Sequence, residues 1–218
     1  VICGKELWLE PVPLCRGCAD LLAGRPIGPG KTCSVCSAPL VSEQETCSRC
    51  REREFNFDRS ISAFLYEPHV RDLLWAYKFG NCPALSRFLA EQAGLILERW
   101  FPGLPVVPVP GRRGNIRRRG WDQVDRIARV LSRKRHIEII RVLRRHRSVS
   151  QKTLSRAERQ SNLSGKISLR KVKQYTIPEV VVLLDDVFTT GSTLSECALV
   201  LKDRGVRKVY AVTIAMEE

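Results

Sequence analysis

The stretch VVVLLDDVFTTGSTL, residues 180–194, restricts the fold of this chain more than any other segment. Its first five residues are apolar without alternation, which is typical of a strand whose two faces are both covered, as in a parallel sheet. Two adjacent carboxylates, Asp185 and Asp186, come next, and a loop rich in hydroxyl groups leads into a predicted helix over 194–204. The segment therefore predicts a buried strand with polar groups at its carboxyl end and a helix after them.

The rest of the chain continues this alternation of strands and helices. Apolar runs predict strands over 61–67, 104–110, 137–143, 180–184 and 206–215, and apolar residues at helical spacing predict helices over 69–80, 85–100 and 121–134. This order predicts an α/β fold with a mainly parallel sheet flanked by helices. Residues 144–166 are polar and basic without periodicity, and their length predicts a functional loop rather than an ordinary connection.

The residues after the buried strand have the chemistry of a phosphate site. In an open α/β sheet, ligands bind outside the carboxyl ends of the strands. Loop residues 189–193 enter a helix N-terminus, whose free N–H groups and dipole attract an anion, and Gly191 lets the backbone approach that anion closely. Carboxylates beside such a loop suit hydroxyl groups or a metal, so a ribose 5-phosphate matches both features.

Other interpretations of this segment are weaker. Helix capping needs one hydroxyl-bearing residue, whereas four of the five loop residues carry a hydroxyl. The loop has no Gly-Lys-Ser/Thr sequence, which excludes a Walker P-loop there. A phosphoacceptor domain usually has its acid pair at the first strand, whereas Asp185 and Asp186 lie near the end of the chain. The remaining alternative is an acid pair that ends a strand without a function.

The cysteines predict a metal site in the N-terminal part of the chain. Three C-x-x-C pairs follow one another, and Cys33-x2-Cys36-x10-Cys47-x2-Cys50 has the spacing of a complete four-thiolate zinc ribbon. A disulfide-stapled secreted module is the alternative, but the knuckles repeat and no other feature is typical of an extracellular protein. We expect one or two structural zinc ions, with ligands drawn from Cys3, Cys15, Cys18, Cys33, Cys36, Cys47 and Cys50.

This cysteine-rich part is predicted to be a domain of its own. Residues 1–54 are poor in aliphatic periodicity and need metal to fold, whereas residues 55–218 contain the strands and helices of the α/β domain. Cys3 is predicted to be the second half of a C-x-x-C pair that begins before Val1. The segment upstream of Val1 stays open, and a removed signal peptide is one possibility for it.

The charge of the chain predicts a polyanionic partner. The net charge is +14, yet residues 1–54 sum to zero, while residues 110–173 hold 21 Lys and Arg against 4 Asp and Glu. Clustering of this kind favours a phosphorylated small molecule or a nucleic acid, and a solvated basic surface is the plainer alternative. No apolar run approaches the roughly 18 residues of a membrane span, and we expect a cytoplasmic protein.

Several motifs resemble those of one known family. LLDDVFTTGST is similar to the loop of type I phosphoribosyltransferases that binds 5-phosphoribosyl 1-pyrophosphate (PRPP). The cysteine pairs, FDRSISAFLYE, YKFG, VPVPGRR followed by RRRGWDQ, and QKTLSRAERQSNLSG resemble the ComF family, in the same order and over essentially the whole chain. That family includes competence proteins of the ComFC type and GntX-type proteins.

The resemblance implies a PRPP site with assigned parts. Asp185 and Asp186 would face the ribose hydroxyls, and magnesium would accompany the ligand. Residues 144–166 would be a hood that closes over it. The PRPP loop would comprise Val187, Thr189, Thr190, Gly191, Ser192 and Thr193. The pyrophosphate loop would comprise Val109, Pro110, Gly111 and Arg112, with Lys78 as a further contact.

Two places depart from the pattern of the family. Asp122 stands where Asn is usual, which puts an acid near the predicted polyanion site, and Lys166 and Ile167 replace a pair similar to Ala-Phe. Neither change lies in the PRPP loop.

Two functions are compatible with these features. The favoured hypothesis is a PRPP-binding protein of DNA uptake in natural transformation, which binds single-stranded DNA through Arg117, Arg118 and Arg119 and works with a helicase-like competence protein. Trp121 is either a base-stacking residue or a core residue, and its helical spacing favours the core. The alternative is an active phosphoribosyltransferase with an unknown acceptor, although the sequence shows no base-recognition site and no aromatic pocket for a purine.

Overall fold

A four-stranded parallel sheet forms the centre of the molecule. The computed structural model describes residues 13–23, 31–42, 44–146, 166–170 and 177–217. The strands of the central sheet are β1 (Arg59–Leu65), β2 (Val106–Pro108), β5 (Val180–Phe188) and β6 (Lys208–Met216), in the order β1-β6-β5-β2. A separate antiparallel pair consists of β3 (Leu143–Arg145) and β4 (Ile167–Leu169).

Helices connect these strands and cover the sheet. They are α1 (Arg16–Ala23), α2 (Ser48–Glu52), α3 (Pro68–Lys78), α4 (Ser86–Trp100), α5 (Arg113–Arg119), α6 (Gln123–Arg135) and α7 (Ser192–Lys202), with a short 3-10 turn over Pro83–Leu85. None of the helices within the described ranges is both long and apolar enough to cross a membrane.

The apolar strand β5 separates two core layers, because its side chains alternate between the faces of the sheet. Val182 and Leu184 pack with α3, α4 and α6, whereas Val181 and Leu183 pack with α7 and the β3–β4 pair. The predicted buried face of α3 is confirmed, since Val70, Leu73, Leu74 and Tyr77 are all buried.

Two predicted elements differ from the structure. The strand predicted over 137–143 is wrong: only Ile139 forms an isolated parallel bridge, to Val106, and the regular pairing begins at Leu143. Ile140 and Val142 are buried and Ile137 and Ile139 half-buried, but the backbone of this stretch forms no continuous ladder with a neighbouring strand. Strand β5 is longer than predicted, so that Asp185 and Asp186 lie inside it rather than after it. Of the predicted hood over 144–166, residues 144 and 145 belong to β3, and 147–165 lie outside the described residues.

The cysteine-rich segment lies against the free edge of β1. The backbone N–H of Ser60 donates to the carbonyl of Val35 at 2.7 Å, and the Ser37 hydroxyl donates to the carbonyl of Ser60 at 2.8 Å. Cys33 and Cys36 are fully buried in the same core layer as α7. This segment is therefore joined to the α/β core through backbone pairing as well as through side-chain packing.

Candidate functional site

The two carboxylates of β5 lie at the carboxyl edge of the sheet and face opposite sides of it. Asp186 shares its face with α3 and α6: its Oδ2 lies 3.0 Å from Lys78 Nζ and accepts a hydrogen bond from Gln123 Nε2 at 3.1 Å. Only 9% of Asp186 is exposed. Strand alternation places the Asp185 side chain on the opposite face of the sheet.

Asp185 is the less well neutralised of the two acids. Desolvation, and then the neighbouring charge of Asp186, raise the pKa of Asp185 to about 8, although the Asp186 backbone N–H donates to its Oδ1 at 2.8 Å. Asp185 forms no salt bridge to any residue in the part of the chain that the structure describes. A carboxyl group in this state favours a ligand that brings hydroxyl groups or a cation.

The loop after β5 reaches the N-terminus of α7 through Gly191. This glycine has a φ of 73°, and a Cβ there would lie 2.7 Å from Phe55 Cε1 and 3.0 Å from Phe188 Cζ. Because the N-cap is a glycine, no side chain caps α7 from that position. The Thr190 and Ser192 hydroxyls, which are exposed, lie 2.9 Å apart. The hydroxyl groups of the loop are thus available beside a helix N-terminus, as an anion site requires.

The cysteine-rich segment is hydrogen-bonded to this loop through Arg49. Arg49, between Cys47 and Cys50, donates from Nη1 to the carbonyl of Thr189 at 2.9 Å and from Nη2 to the carbonyl of Glu217 at 3.0 Å. These hydrogen bonds join segments 140 and 168 residues apart. Arg49 was not predicted from the sequence, and its position between two predicted metal ligands is the only signal it gives.

The predicted pyrophosphate loop lies beside β5, and Asp122 holds it there. Asp122 Oδ2 accepts from the Gly111 backbone N–H at 2.9 Å. Its Oδ1 accepts from the N–H groups of Val124 and Asp125 at 3.0 and 3.1 Å, so Asp122 is the N-cap of α6. Asp and Asn are both strong N-cap residues, which explains why the acid fits where the family usually has Asn.

These elements surround a cavity of about 360 Å³ at the carboxyl edge of the sheet. Ten of the residues predicted for PRPP line it: Lys78, Val109, Pro110, Gly111, Arg112, Asp185, Asp186, Val187, Thr189 and Thr193. Thr190, Gly191 and Ser192 do not line the cavity but complete the loop beside it. Several lining residues were not predicted from the sequence, among them Asn115 and Gln123, because only the fold brings them to this edge, whereas Arg145 belongs to the predicted hood segment 144–166.

The three consecutive arginines of α5 separate into two groups. Arg119 is partly buried and lines the cavity, and its Nη1 donates to Gln123 Oε1 at 2.9 Å. Its Nε is buried and has no hydrogen-bond partner within the described ranges, and desolvation lowers the pKa of this guanidinium. Arg117 and Arg118 are exposed. An unpartnered buried donor fits a cavity that takes an anion.

Trp121 belongs to the core rather than to a surface for stacking. It is partly buried and packs against Tyr77, with ring centroids 4.9 Å apart. The interpretation of Trp121 as a core residue is therefore the better one.

Four of the seven predicted metal ligands come together. The thiols of Cys33, Cys36, Cys47 and Cys50 all lie within 4.8 Å of one another, with 3.6 Å between the sulfurs of Cys36 and Cys47. This spacing is far too long for a disulfide, which needs about 2.05 Å, and tetrahedral zinc with Zn–S bonds of about 2.3 Å would place its sulfurs about 3.8 Å apart. Burial, and then the neighbouring thiols, raise the pKa of Cys36 to about 12.

The same causes raise the pKa of Cys50. Thiolates crowded in this way need a cation, so the donor set fits zinc. Cys15 and Cys18, at the start of α1, are not part of this cluster, and Cys3 lies outside the described residues.

A larger cavity of about 740 Å³ lies between α1, α4 and α6. Apolar side chains predominate in its lining, and Arg135 there pairs with Glu91 and Glu98. None of the predicted site residues lines it. The residues predicted for PRPP therefore belong to the smaller cavity and the loop beside it.

The fold and the site together define the class of the protein. It is an α/β protein with a parallel sheet flanked by helices and a four-cysteine cluster in its N-terminal part, as predicted. The chain belongs to the ComF family. It is 30% identical to Competence protein F of Haemophilus influenzae over an alignment of 221 residues, which covers 98% of this chain and 94% of that protein.

Other relatives agree with this assignment. DNA utilization protein YhgH of Escherichia coli is 30% identical over 215 residues, covering 93% of this chain and 92% of YhgH. Competence protein ComFC of Streptococcus pneumoniae is 26% identical over 187 residues, covering 82% and 80%. No family model matches the chain.

Two solved structures show a more distant likeness. The allosteric regulatory enzyme of purine biosynthesis matches with a TM-score of 0.40 at 18% identity. The matched region covers 59% of this chain and 25% of the chain of that enzyme. A hypoxanthine phosphoribosyltransferase from Staphylococcus aureus has a TM-score of 0.35 at 20% identity and covers 62% and 64%.

Proposed function

We propose that this ComF-family protein binds PRPP at the carboxyl edge of its sheet, acts in DNA uptake and binds single-stranded DNA. The observation that carries the proposal is the cavity itself, where an acid pair, a hydroxyl-rich loop at a helix N-terminus and several cations converge. The relatives are named for competence and for DNA utilization, which supports the process. The domain division at residues 54 and 55 is part of the proposal.

Each part of PRPP has a matching group in the cavity. The 5-phosphate takes the loop of residues 189–193, where hydroxyls and the first N–H groups of α7 donate. The ribose hydroxyls face Asp185 and Asp186. The pyrophosphate takes the segment 109–112, close to the guanidinium of Arg119, whose Nε has no partner among the described residues and gains an acceptor there. When PRPP binds, the ammonium group of Lys78 moves from the Asp186 carboxylate to the pyrophosphate, and Asp186 is then free to accept from the ribose hydroxyls.

Two metals belong to this proposal. Magnesium would accompany PRPP and would be held beside Asp185 and Asp186, of which Asp185 has no salt bridge within the described residues; its charge would favour the ionised form of both acids. Zinc would be structural and would be held by Cys33, Cys36, Cys47 and Cys50. It would fix the segment that carries Arg49 against the loop of residues 189–193.

The DNA-binding part of the proposal rests on the exposed arginines of α5. Arg117 and Arg118 face solvent next to the cavity, while Arg119 is used inside it. Exposed guanidinium groups bind backbone phosphates and release counterions, which makes the affinity depend on salt. A helicase-like competence protein is the partner that we expect in the cytoplasm.

Separate substitutions of the exposed arginines and of Arg119 test the DNA-binding part and the PRPP-binding part of the proposal. In an Arg117→Glu, Arg118→Glu variant, single-stranded DNA should bind more weakly for every sequence, and the log-log salt slope should flatten by about 0.7 for each DNA phosphate that the variant no longer binds. PRPP affinity should change little. In an Arg119→Gln variant, PRPP affinity should fall while most DNA affinity is retained. Filter binding over a salt series and isothermal titration with PRPP and magnesium measure the two quantities.

The outcomes separate the two parts of the proposal. A double Glu variant with the wild-type DNA affinity and salt slope would remove the DNA role of α5. Wild-type protein that gives no heat with PRPP in the presence of magnesium would remove the PRPP site.

Phosphoribosyl transfer is the second candidate function. One observation favours it: Lys78, Arg112, Arg119 and Arg145 line the same cavity and can stabilise charge on a leaving pyrophosphate. Release of pyrophosphate from PRPP on addition of an acceptor base or nucleic acid measures this activity, and no release with any acceptor class leaves PRPP binding as the only role of the site.

A further inference from the structure

Helix α3 presents two aromatic side chains to solvent at the mouth of the cavity. Trp75 is 61% exposed and Phe79, directly after the helix, is 52% exposed. Their ring centroids lie 6.1 Å apart, and both side chains line the cavity of the candidate PRPP site. They lie off the buried face of α3, so the hydrophobic core does not account for them. Exposed aromatic neighbours in a functional cleft mark a binding surface.

The surroundings of this pair indicate what it binds. The guanidinium carbons of Arg118 and Arg119 lie 5.8 and 4.7 Å from the centroid of the Phe79 ring. Lys78 and Arg112 line the same cavity. Aromatic rings interleaved with guanidinium groups suit a ligand that alternates flat rings with phosphates. A purely apolar partner surface would leave these positive charges without partners.

We propose that Trp75 and Phe79 form a stacking platform for the bases of single-stranded DNA, whose phosphates lie on Arg117 and Arg118. This inference rests on the proposed DNA binding and names the surface that contacts the bases. Stacking tolerates every sequence, because each base has a π face. The platform therefore supplies affinity without sequence preference and brings the strand to the edge of the PRPP cavity.

The molecule provides a matched control for this platform. Trp100 is 47% exposed and lies against two guanidinium groups, those of Arg59 at 4.9 Å and Arg99 at 5.6 Å. However, Arg59 begins β1, so Trp100 is at the amino edge of the parallel sheet, opposite to the cavity. A strand that follows α5 and the cavity does not reach it.

The experiment compares two probes on four proteins. Fluorescence anisotropy follows a labelled oligothymidylate and an abasic strand of the same length, with wild type, Trp75→Ala, Phe79→Ala and Trp100→Ala. For the oligothymidylate we expect Trp75→Ala and Phe79→Ala each to lower affinity by about 5-fold to 100-fold. Their salt slopes should equal that of the wild type, because the bonds to phosphate are kept. For the abasic strand, Trp75→Ala and Phe79→Ala should bind as tightly as the wild type. Trp100→Ala should bind the oligothymidylate as tightly as the wild type.

Each other outcome overturns the platform. If wild type binds oligothymidylate and both α3 variants bind it equally well, the DNA function stands and the platform falls. If wild type binds no single-stranded DNA, the proposed function falls as well. If the α3 variants lose as much affinity for the abasic strand as for the oligothymidylate, the loss comes from charge contacts or from folding and not from stacking. The same holds if Trp100→Ala loses as much affinity as they do. Circular dichroism melts check folding directly. The variants could instead lose PRPP-dependent binding of a free nucleobase while their DNA affinity stays unchanged. In that case the two rings bind a small-molecule acceptor and not DNA.

Discussion

Replacement of Arg49 by Met is expected to weaken PRPP binding although Arg49 lies outside the cavity. The guanidinium donates to the carbonyl of Thr189, in the predicted PRPP loop, and to that of Glu217, after β6, at 2.9 and 3.0 Å. It is also 6.0 Å from the centroid of the Phe188 ring. The loop therefore keeps its position through a side chain of the cysteine-rich segment.

The size of the effect follows from these hydrogen bonds. A hydrogen bond to a charged group contributes roughly 1.5–3 kcal/mol when it is buried. Arg49 is partly exposed, so water replaces part of each interaction, and about 2 kcal/mol is an upper bound for the pair. If this free energy serves to hold the loop in its binding position, PRPP affinity should fall by about 3-fold to 30-fold. Methionine keeps most of the apolar packing against Phe188.

The assay combines isothermal titration of PRPP with zinc analysis of the same sample. Arg49 is not a thiolate ligand, so the Met variant should keep its zinc. Arg51→Met is the control, since Arg51 is an exposed arginine of the same short helix α2. A variant that keeps both zinc and the wild-type PRPP affinity would refute the role of Arg49 as the link between the two parts.

Further predictions concern the acid pair, the loop and the metal. Asp186→Ala and Thr190→Ala should each weaken PRPP binding by about 1–3 kcal/mol in isothermal titration, and unchanged affinity in both would place the phosphate elsewhere. Because the folded state raises the pKa of Asp185 to about 8, the folded protein binds a proton that the unfolded chain releases above about pH 4. The free energy of unfolding should therefore fall as pH rises from 4 to 8, and Asp185→Asn should flatten this slope in denaturant titrations. Cys36→Ser, or a chelator, should release zinc and lower the melting temperature, and an unchanged melt would exclude a structural ion.

Local patterns in the sequence were sufficient for the four strands of the central sheet and for helices α3, α4, α6 and α7. The unbroken apolar run before Asp185 specifies a strand buried on both faces, and Gly191 with its hydroxyl neighbours specifies a loop at a helix N-terminus, because both depend on residues close in sequence. The spacing of Cys33, Cys36, Cys47 and Cys50 similarly predicted the cluster that the structure shows. The same approach failed for 137–143, because an apolar pattern reports burial and not strand pairing.

Only the tertiary structure decided how these parts meet. The pairing of Lys78 with Asp186 and the hydrogen bond of Arg49 to Thr189 join residues that are distant along the chain, and no periodicity encodes them. The three arginines 117–119 are equivalent in the sequence, yet the packing of α5 buries one beside the cavity and leaves two in solvent. Helical geometry turns each successive side chain by about 100°, so a run of like charges is divided among surfaces that only the neighbouring elements define.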